Sequence, residues 1–363
     1  MKKLICSLLA CLMLAGCAAP AGSSSSQGSG SQGSSSGSAS SVNSSDTGGS
    51  TENQVKITPE TPVDFTWKPQ VISNYQHAVW GEEREALYGA LVDAIMTGKT
   101  SVPCADEEMG WTIQFLLDTN FPVMSAVVSY MNVEDNNVKI KYSVSDAERE
   151  QIIKDFAEKI ESEIESSVCQ ADTPSMAALA LYHQYCMGLT YDHEAEKVEA
   201  EFNGDTIYRA LMSGTGTNQS FAIAYAYLCM QIGVNAVEVV GHNVTRDNPQ
   251  YAVLMELNGH HYFSQPGDEC LMGGAGLRCF AGNRACLENG GEKVENIGMP
   301  TFEGNVEDYD TSDDNFYYIW AVQNCEEIKR TEQDMEIKGY APLKADCRLY
   351  IEDGKTMTVV PEM

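Results

Sequence analysis

The most constraining stretch of this 363-residue chain runs from Gly214 to Gln265, where helix signals give way to strand signals. Gly214-Thr215-Gly216 breaks the chain. Phe221, Ala222, Tyr225 and Leu228 then recur at helical spacing, which predicts a helix from about Asn218 to Ile232, ended by Gly233. Val234 to Val240 reads as a strand, and Tyr251 to Leu257 and His260 to Gln265 as two more. Asn258-Gly259 joins the last two as a strong two-residue hairpin signal. A helix leading into consecutive antiparallel strands predicts an α+β fold.

The upstream segments fit that class. Leu87, Ala90, Leu91, Ala94 and Ile95 share one face of a helix expected over Glu82 to Met96. Trp111 to Leu117 suggests a second short element. Val123 to Tyr130 and Val138 to Val144 are β-rich and flank Glu134-Asp135-Asn136-Asn137, which predicts a hairpin. A long helix follows Ser145, with Ile152, Ile153, Phe156, Ile160 and Ile164 on one face. Thr173-Pro174 starts another, with Pro at its first position. Asp205 is expected to cap a short helix through Leu211.

The first residues read as an export signal. Lys2 and Lys3 precede an apolar run from Leu4 to Leu14 that is too short to span a bilayer. Leu14-Ala15-Gly16-Cys17 follows and resembles the bacterial lipoprotein cleavage box, which implies cleavage before Cys17 and acylation of its thiol. Acyl chains contribute roughly 0.8 kcal/mol per buried CH₂, so two or three anchor firmly. Residues beyond Cys17 are dominated by Ser and Gly, a flexible tether. The formal charge is −29, and loss of Lys2 and Lys3 makes it more negative by two. Such a surface repels phosphate backbones, so nucleic acid is not an expected partner.

Of the 12 cysteines, Cys6 and Cys11 leave with the signal and Cys17 takes the lipid. Cys186 and Cys229 lie in apolar helical segments and read as buried thiols. Cys270, Cys279 and Cys286 lie in a Gly-rich stretch where a loop staple is plausible. No Cys-x-x-Cys occurs, so no structural zinc site is expected. Asp308, Asp310, Asp313 and Asp314 lack the Gly and final Glu of an EF-hand and read as a solvated loop. No phosphate-binding loop is present, and no cofactor is expected.

Residues Ala178 to Gln265 resemble the transglutaminase-like domain, whose core is papain-like. Leu189-Thr190-Tyr191-Asp192 resembles its "YD" segment, and Ala210-Leu211 to Gly214 its lead-in. Gln219-Ser220-Phe221-Ala222 resembles the first turn of its nucleophile helix. Ile232-Gly233-Val234 with Val239-Val240-Gly241 resembles its first strand, and Asn258-Gly259 with Tyr262 its hairpin. Upstream, about Val71 to Tyr142 resembles the N-terminal region of exported clostridial relatives.

Active members of that family use Cys, His and Asp. The thiol at a helix N-terminus is activated by the macrodipole and an imidazole, and the carboxylate orients the imidazole. On the resemblance, the thiol position falls on Asn218. Counting back from Tyr262 gives Gln250 for the His, and counting forward gives Gln265 for the Asp. An Asn amide is not a nucleophile, and a Gln neither shuttles protons nor carries charge. Cys229, eleven residues past Asn218, is about 16 Å along the helix and does not substitute. His242 could approach the site from the loop after the first strand.

The expectation is therefore a pseudoenzyme. Residues 1–16 form the lipoprotein signal peptide, 17–57 the tether, 58–145 an N-terminal α/β region, and 146–363 a transglutaminase-like domain with a C-terminal extension. Asn218, Gln219, Gln250 and Gln265 are the candidates for ligand contact. Tyr208, Phe221, Tyr225, Tyr251, Tyr262 and Phe263 supply aromatics that serve either as a binding wall or as core. The expected place is outside the cytoplasm, on the cell membrane through Cys17, with a cell-wall glycan, a peptide or a surface protein as partner. The alternatives are an active cysteine peptidase or acyltransferase with a different nucleophile, and a structural surface protein without a small ligand.

Overall fold

A computed structural model describes residues 61–196, 204–271, 279–284, 287, 293–299, 304–306, 309, 327–330, 334–340, 345–352 and 356–361. Cys17, the tether, Cys286 and the four acidic residues from Asp308 to Asp314 lie outside them.

Helix α1 (Asn74–Thr97) opens on a capping box, Ser73 Oγ accepting from Gln76 N and the Gln76 side chain accepting from Ser73 N. Gly81 (φ 72°, ψ 168°) is non-helical and divides it into two helical stretches, the second beginning at the expected Glu82. Strand β1 (Ser101–Pro103) leads to α2 (Glu107–Asn120), capped by Asp106. The chain then forms one helical turn, α3 (Met124–Val127), before β2 (Val128–Glu134) and β3 (Asn137–Tyr142). The strand expected from Val123 thus begins at Val128. The turn at Phe121-Pro122 holds this segment helical, with Met124 N bonded to Phe121 O and Ser125 Oγ to Pro122 O, both at 3.0 Å. Asp135 and Asn136 make the two-residue hairpin turn, with φ of 50° and 55°. The three strands form one antiparallel sheet in the order β1-β3-β2.

Helix α4 (Asp146–Ser167), capped by Ser145 and Glu148, buries Ile153, Phe156, Ile160 and Ile164. Trp67 fastens the segment before α1 across the molecule. Its backbone N donates to Glu161 Oε1 at 2.9 Å, and its indole N–H donates to Tyr227 Oη at 2.6 Å. Its ring stacks on Phe121 and meets Phe156 edge-on. Next come α5 (Pro174–Met187), β4 (Thr190–Tyr191), α6 (His193–Glu196), α7 (Gly204–Ser213) and β5 (Thr215–Gly216), which pairs in parallel with β4. Helix α7 starts at Gly204, so Asp205 sits inside its first turn instead of ahead of it.

Helix α8 (Asn218–Gln231) is buried on every side from Ser220 through Cys229. That explains its unbroken apolar sequence, since a helix wrapped by neighbours has no solvent face to keep polar. After it come β6 (Ala236–Asn243), β7 (Asn248–Leu257), β8 (His260–Ser264), α9 (Pro266–Leu271), β9 (Val294–Met299) and β10 (Gly304–Asn305). These strands form an antiparallel five-stranded sheet in the order β10-β9-β6-β7-β8. Asn258 (φ 53°) and Gly259 (φ 79°) form the β7–β8 turn at the predicted place. A third antiparallel sheet holds β11 (Glu327–Arg330), β12 (Asp334–Tyr340), β13 (Ala345–Glu352) and β14 (Thr356–Pro361). The fold is α+β. Buried apolar residues from Trp67 to Val306 form one continuous cluster, with α8 inside it.

Candidate functional site

The start of α8 is fixed by Thr217, whose side chain caps the helix and whose backbone N donates to Ser220 Oγ at 2.7 Å. Asn218 is therefore the first helical residue. Its side-chain Oδ1 is buried and, among the described residues, has no hydrogen-bond partner. Helix α9 presses against it. A Cβ built on Gly267 would lie 2.1 Å from Asn218 Oδ1 and 2.7 Å from its Cα, so only glycine permits this approach.

Two elements bring the glutamines to the same place. Gln250 lies on β7 in register with Gly241 of β6. Gln265 follows β8, is 4% exposed, and is held by its backbone N donating to Cys279 O at 2.9 Å. Both side-chain amides donate to one atom, Asp268 Oδ2, at 2.7 Å from Gln250 and 2.8 Å from Gln265. Asp268 stands in the first turn of α9, one residue past Gly267. Asn218, Gln250 and Gln265 are thus gathered around the Gly267-Asp268 step. Gln219 turns the other way, its Nε2 donating to Glu238 Oε1 at 3.2 Å.

Glu238 is the least expected member of this neighbourhood. It sits in the middle of β6, 3% exposed, and its Oε2 has no partner among the described residues. Burial pushes its carboxyl up to about 8, with the Gln219 bond pulling weakly the other way. It is a neutral acid over most of the physiological range, bonded to the Gln219 amide. Neither Glu238 nor Asp268 was expected at the site from the sequence. Signals for them exist: a lone acid inside Val237-Glu238-Val239-Val240, and an acid two residues past a helix-starting proline.

The thiols stand elsewhere in character. Cys186 and Cys229 are buried as expected. Burial pushes Cys229 up to about 12 and Cys186 well above the ordinary thiol range. Cys270 on α9 carries a free thiol that burial also raises, against a hydrogen bond from the Tyr191 backbone. A nucleophilic cysteine needs the opposite shift. His242 does not reach over from a loop. It is an exposed residue of β6 whose Nε2 lies 3.4 Å from Asp247 Oδ1. Of the six aromatics, Phe221, Tyr225, Tyr262 and Phe263 are fully buried core residues, while Tyr208 and Tyr251 are partly buried.

Chemically, the arrangement offers a carboxylate bridging two amides, one carbonyl oxygen lacking a donor among the described residues, and one buried carboxylic acid with an unused oxygen.

No family model matches the chain, and no curated protein does. Among solved structures it is similar to a proposed cysteine protease from Cytophaga hutchinsonii, with a TM-score of 0.24 and 11% identity over 29% of this chain. It is also similar to a TGase, with a TM-score of 0.24 and 14% identity over 38% of this chain. The chain spans 35% and 43% of the lengths of those two proteins.

Proposed function

We propose that this chain is a lipid-anchored cell-surface protein whose transglutaminase-like core has lost catalysis and holds a polar ligand of the cell envelope, a peptide, a glycan or a protein segment. The observation that carries the reading is the shared Asp268 oxygen beside the orphaned Asn218 carbonyl. Gln250 and Gln265 are tied down at 2.7 and 2.8 Å, while Asn218 Oδ1 is buried with no donor. A buried acceptor left unpaired costs about 1–3 kcal/mol, so its retention favours a ligand that supplies an N–H or O–H. The anchor rests on Leu14-Ala15-Gly16-Cys17 after its apolar run. No helix among the described residues is long and apolar enough to cross a membrane.

The test is a thermal-shift series on the mature chain against peptidoglycan fragments and envelope peptides, with Asn218→Leu and Gln250→Leu alongside. A ligand at about 100 times its Kd adds roughly 2.7 kcal/mol of stability, a shift of several degrees, and both variants lose it. Hydrolysis or crosslinking of a peptide by the unmodified chain, blocked by iodoacetamide, would sink the reading in favour of an active cysteine enzyme. Cys270→Ala is then the first variant to examine. The absence of any stabilising fragment leaves the structural-protein reading instead.

A further inference from the structure

Helix α2 (Glu107–Asn120) carries two large aromatic side chains that the core does not use. Its inward face is committed. Ile113, Leu116 and Leu117 are fully buried, and a Cβ on Gly110 would lie 2.8 Å from Val133 Cγ2 of β2. Trp111 and Phe115 stand off that face, 37% and 58% exposed. They are an i,i+4 pair, so they are neighbours on one stripe, separated by about 6 Å of helical rise. Among the described residues, no other helix exposes two large apolar side chains. The same stripe carries acid at both ends. Glu107 and Glu108 lie one turn before Trp111, and Asp118 lies one turn after Phe115. Glu107 and Glu108 are exposed, and neither is in an ion pair among the described residues. Acids in a first turn suit the helix dipole, which accounts for Glu107 and Glu108 but not for two bare rings beside them.

Each ring thus has a carboxylate within one turn. A ring face beside a carboxylate suits a Lys or Arg side chain, whose cation lies over the ring while it pairs with the acid. An anionic bilayer is opposed twice, by these acids and by the formal charge of −29, which repels anionic lipid and steers cationic partners inward. A glycan would stack on the rings and draw nothing from the charge. We infer that this face of α2 docks a cationic segment of a partner protein, two of whose Lys or Arg side chains, about one helical turn apart, cover Trp111 and Phe115. The charge brings the partner in, and the two rings give the contact its register.

The probes are alanine-based helical peptides of equal length. One carries Arg pairs at i,i+4 along a single face, one carries the same number of Arg dispersed round the helix, and one carries Gln in their place. Each is titrated calorimetrically into the mature chain at about 0.15 M salt, which screens exposed charges beyond about 8 Å. The one-face peptide should bind saturably and about tenfold more tightly than either of the others. Trp111→Ala and Phe115→Ala remove side chains that the core does not use, so the unfolding midpoint should hold while affinity falls about tenfold in each. Glu107→Gln with Glu108→Gln should weaken binding too. Glu82→Gln with Glu83→Gln, the same loss of charge from exposed positions on α1, should not. Four results would overturn the inference: no saturable binding of the one-face peptide; equal binding of the one-face and dispersed peptides; unchanged affinity in folded Trp111→Ala and Phe115→Ala; or binding to phosphatidylglycerol vesicles or chitin oligosaccharides that exceeds the peptide's and is lost in those variants, which would make the face a membrane or glycan surface. None of these substitutions touches Asn218, Gln250 or Asp268, so failure here leaves the proposed function standing, and the reverse holds as well.

Discussion

Two sets of side-chain amides in this protein make opposite use of the same chemistry. Gln76 and Asn120 form a closed pair. Gln76 Nε2 donates to Asn120 Oδ1 and Asn120 Nδ2 to Gln76 Oε1, both at 2.8 Å. Asn120 Nδ2 also reaches Val71 O at 2.8 Å, Thr119 Oγ1 donates to Asn120 Oδ1, and Ser73 N donates to Gln76 Oε1. The two residues are 2% and 0% exposed, and every lone pair invoked has a donor. The second set, Asn218, Gln250 and Gln265, is open. Two of its members converge on Asp268 Oδ2, and the third has a buried oxygen facing no donor. The first set joins α1 to α2 and has nothing left to offer. The second retains an unmet demand, as a site does when its partner is another molecule, while the buried acid Glu238 bonds to Gln219, the residue after Asn218.

The acid gives the largest expected effect. Glu238 holds its proton up to about pH 8 in the folded chain, against an ordinary value of 4.5. Below pH 4.5 both states are protonated and the residue contributes nothing to the pH dependence. Between 4.5 and 8 the unfolded chain is ionised while the folded chain keeps the proton. Stability therefore falls as pH rises, by about 1.4 kcal/mol per unit, and the loss is complete above the folded value. Glu238→Gln should flatten that limb. Denaturant midpoints taken from pH 5 to 9 for both proteins isolate the difference, and parallel curves would mean that Glu238 is ionised in the fold.

Next in size is the closed pair. Asn120→Ala leaves Gln76 Nε2 without its acceptor and takes one bond each from Val71 O and Thr119 Oγ1, which keep Tyr88 Oη and Leu116 O, and should destabilise by about 2–4 kcal/mol in urea unfolding. A loss under about 1 kcal/mol would erase the contrast between the two sets. Asp268→Leu comes third. It removes the one acceptor shared by Gln250 and Gln265, and Asp268 is only partly buried, so a loss of about 1–3 kcal/mol is expected together with loss of any ligand-induced shift. Retention of the full shift in this variant would place the ligand elsewhere.

The sequence was most legible where local chemistry decides structure. The Asn258-Gly259 turn, the glycine ends of α8 and the antiparallel strands after it follow from backbone preferences and period alone. The start of β2 was not legible, because Val123 and Val127 favour strand while the turn at Phe121-Pro122 overrides them. At the site, Asn218, Gln250 and Gln265 came from the family resemblance and a count from Tyr262, not from residue type. Asp268 meets Gln265 locally, three residues on, but its bond to Gln250 could not be read, since it depends on the tertiary placement of α9 against β7. Glu238 shows a different failure. A lone acid in an apolar strand reads equally as a solvated edge or a buried group, and only the flanking strands β7 and β9 decide between them.

The smallest effect is the most discriminating. Asn218→Ala removes an oxygen that bonds to nothing and places a better helix former at the first position of α8. If that oxygen waits for a ligand, the free protein should lose nothing, staying within about 0.5 kcal/mol of the parent or gaining up to about 1 kcal/mol from relief of the unpaired group. Ligand-induced stabilisation should fall at the same time. This split between stability and binding separates the open set from the closed one, where a single change damages the fold itself. A loss above about 2 kcal/mol on Asn218→Ala would make the residue a structural member like Asn120, and the unmet carbonyl would no longer point to a ligand.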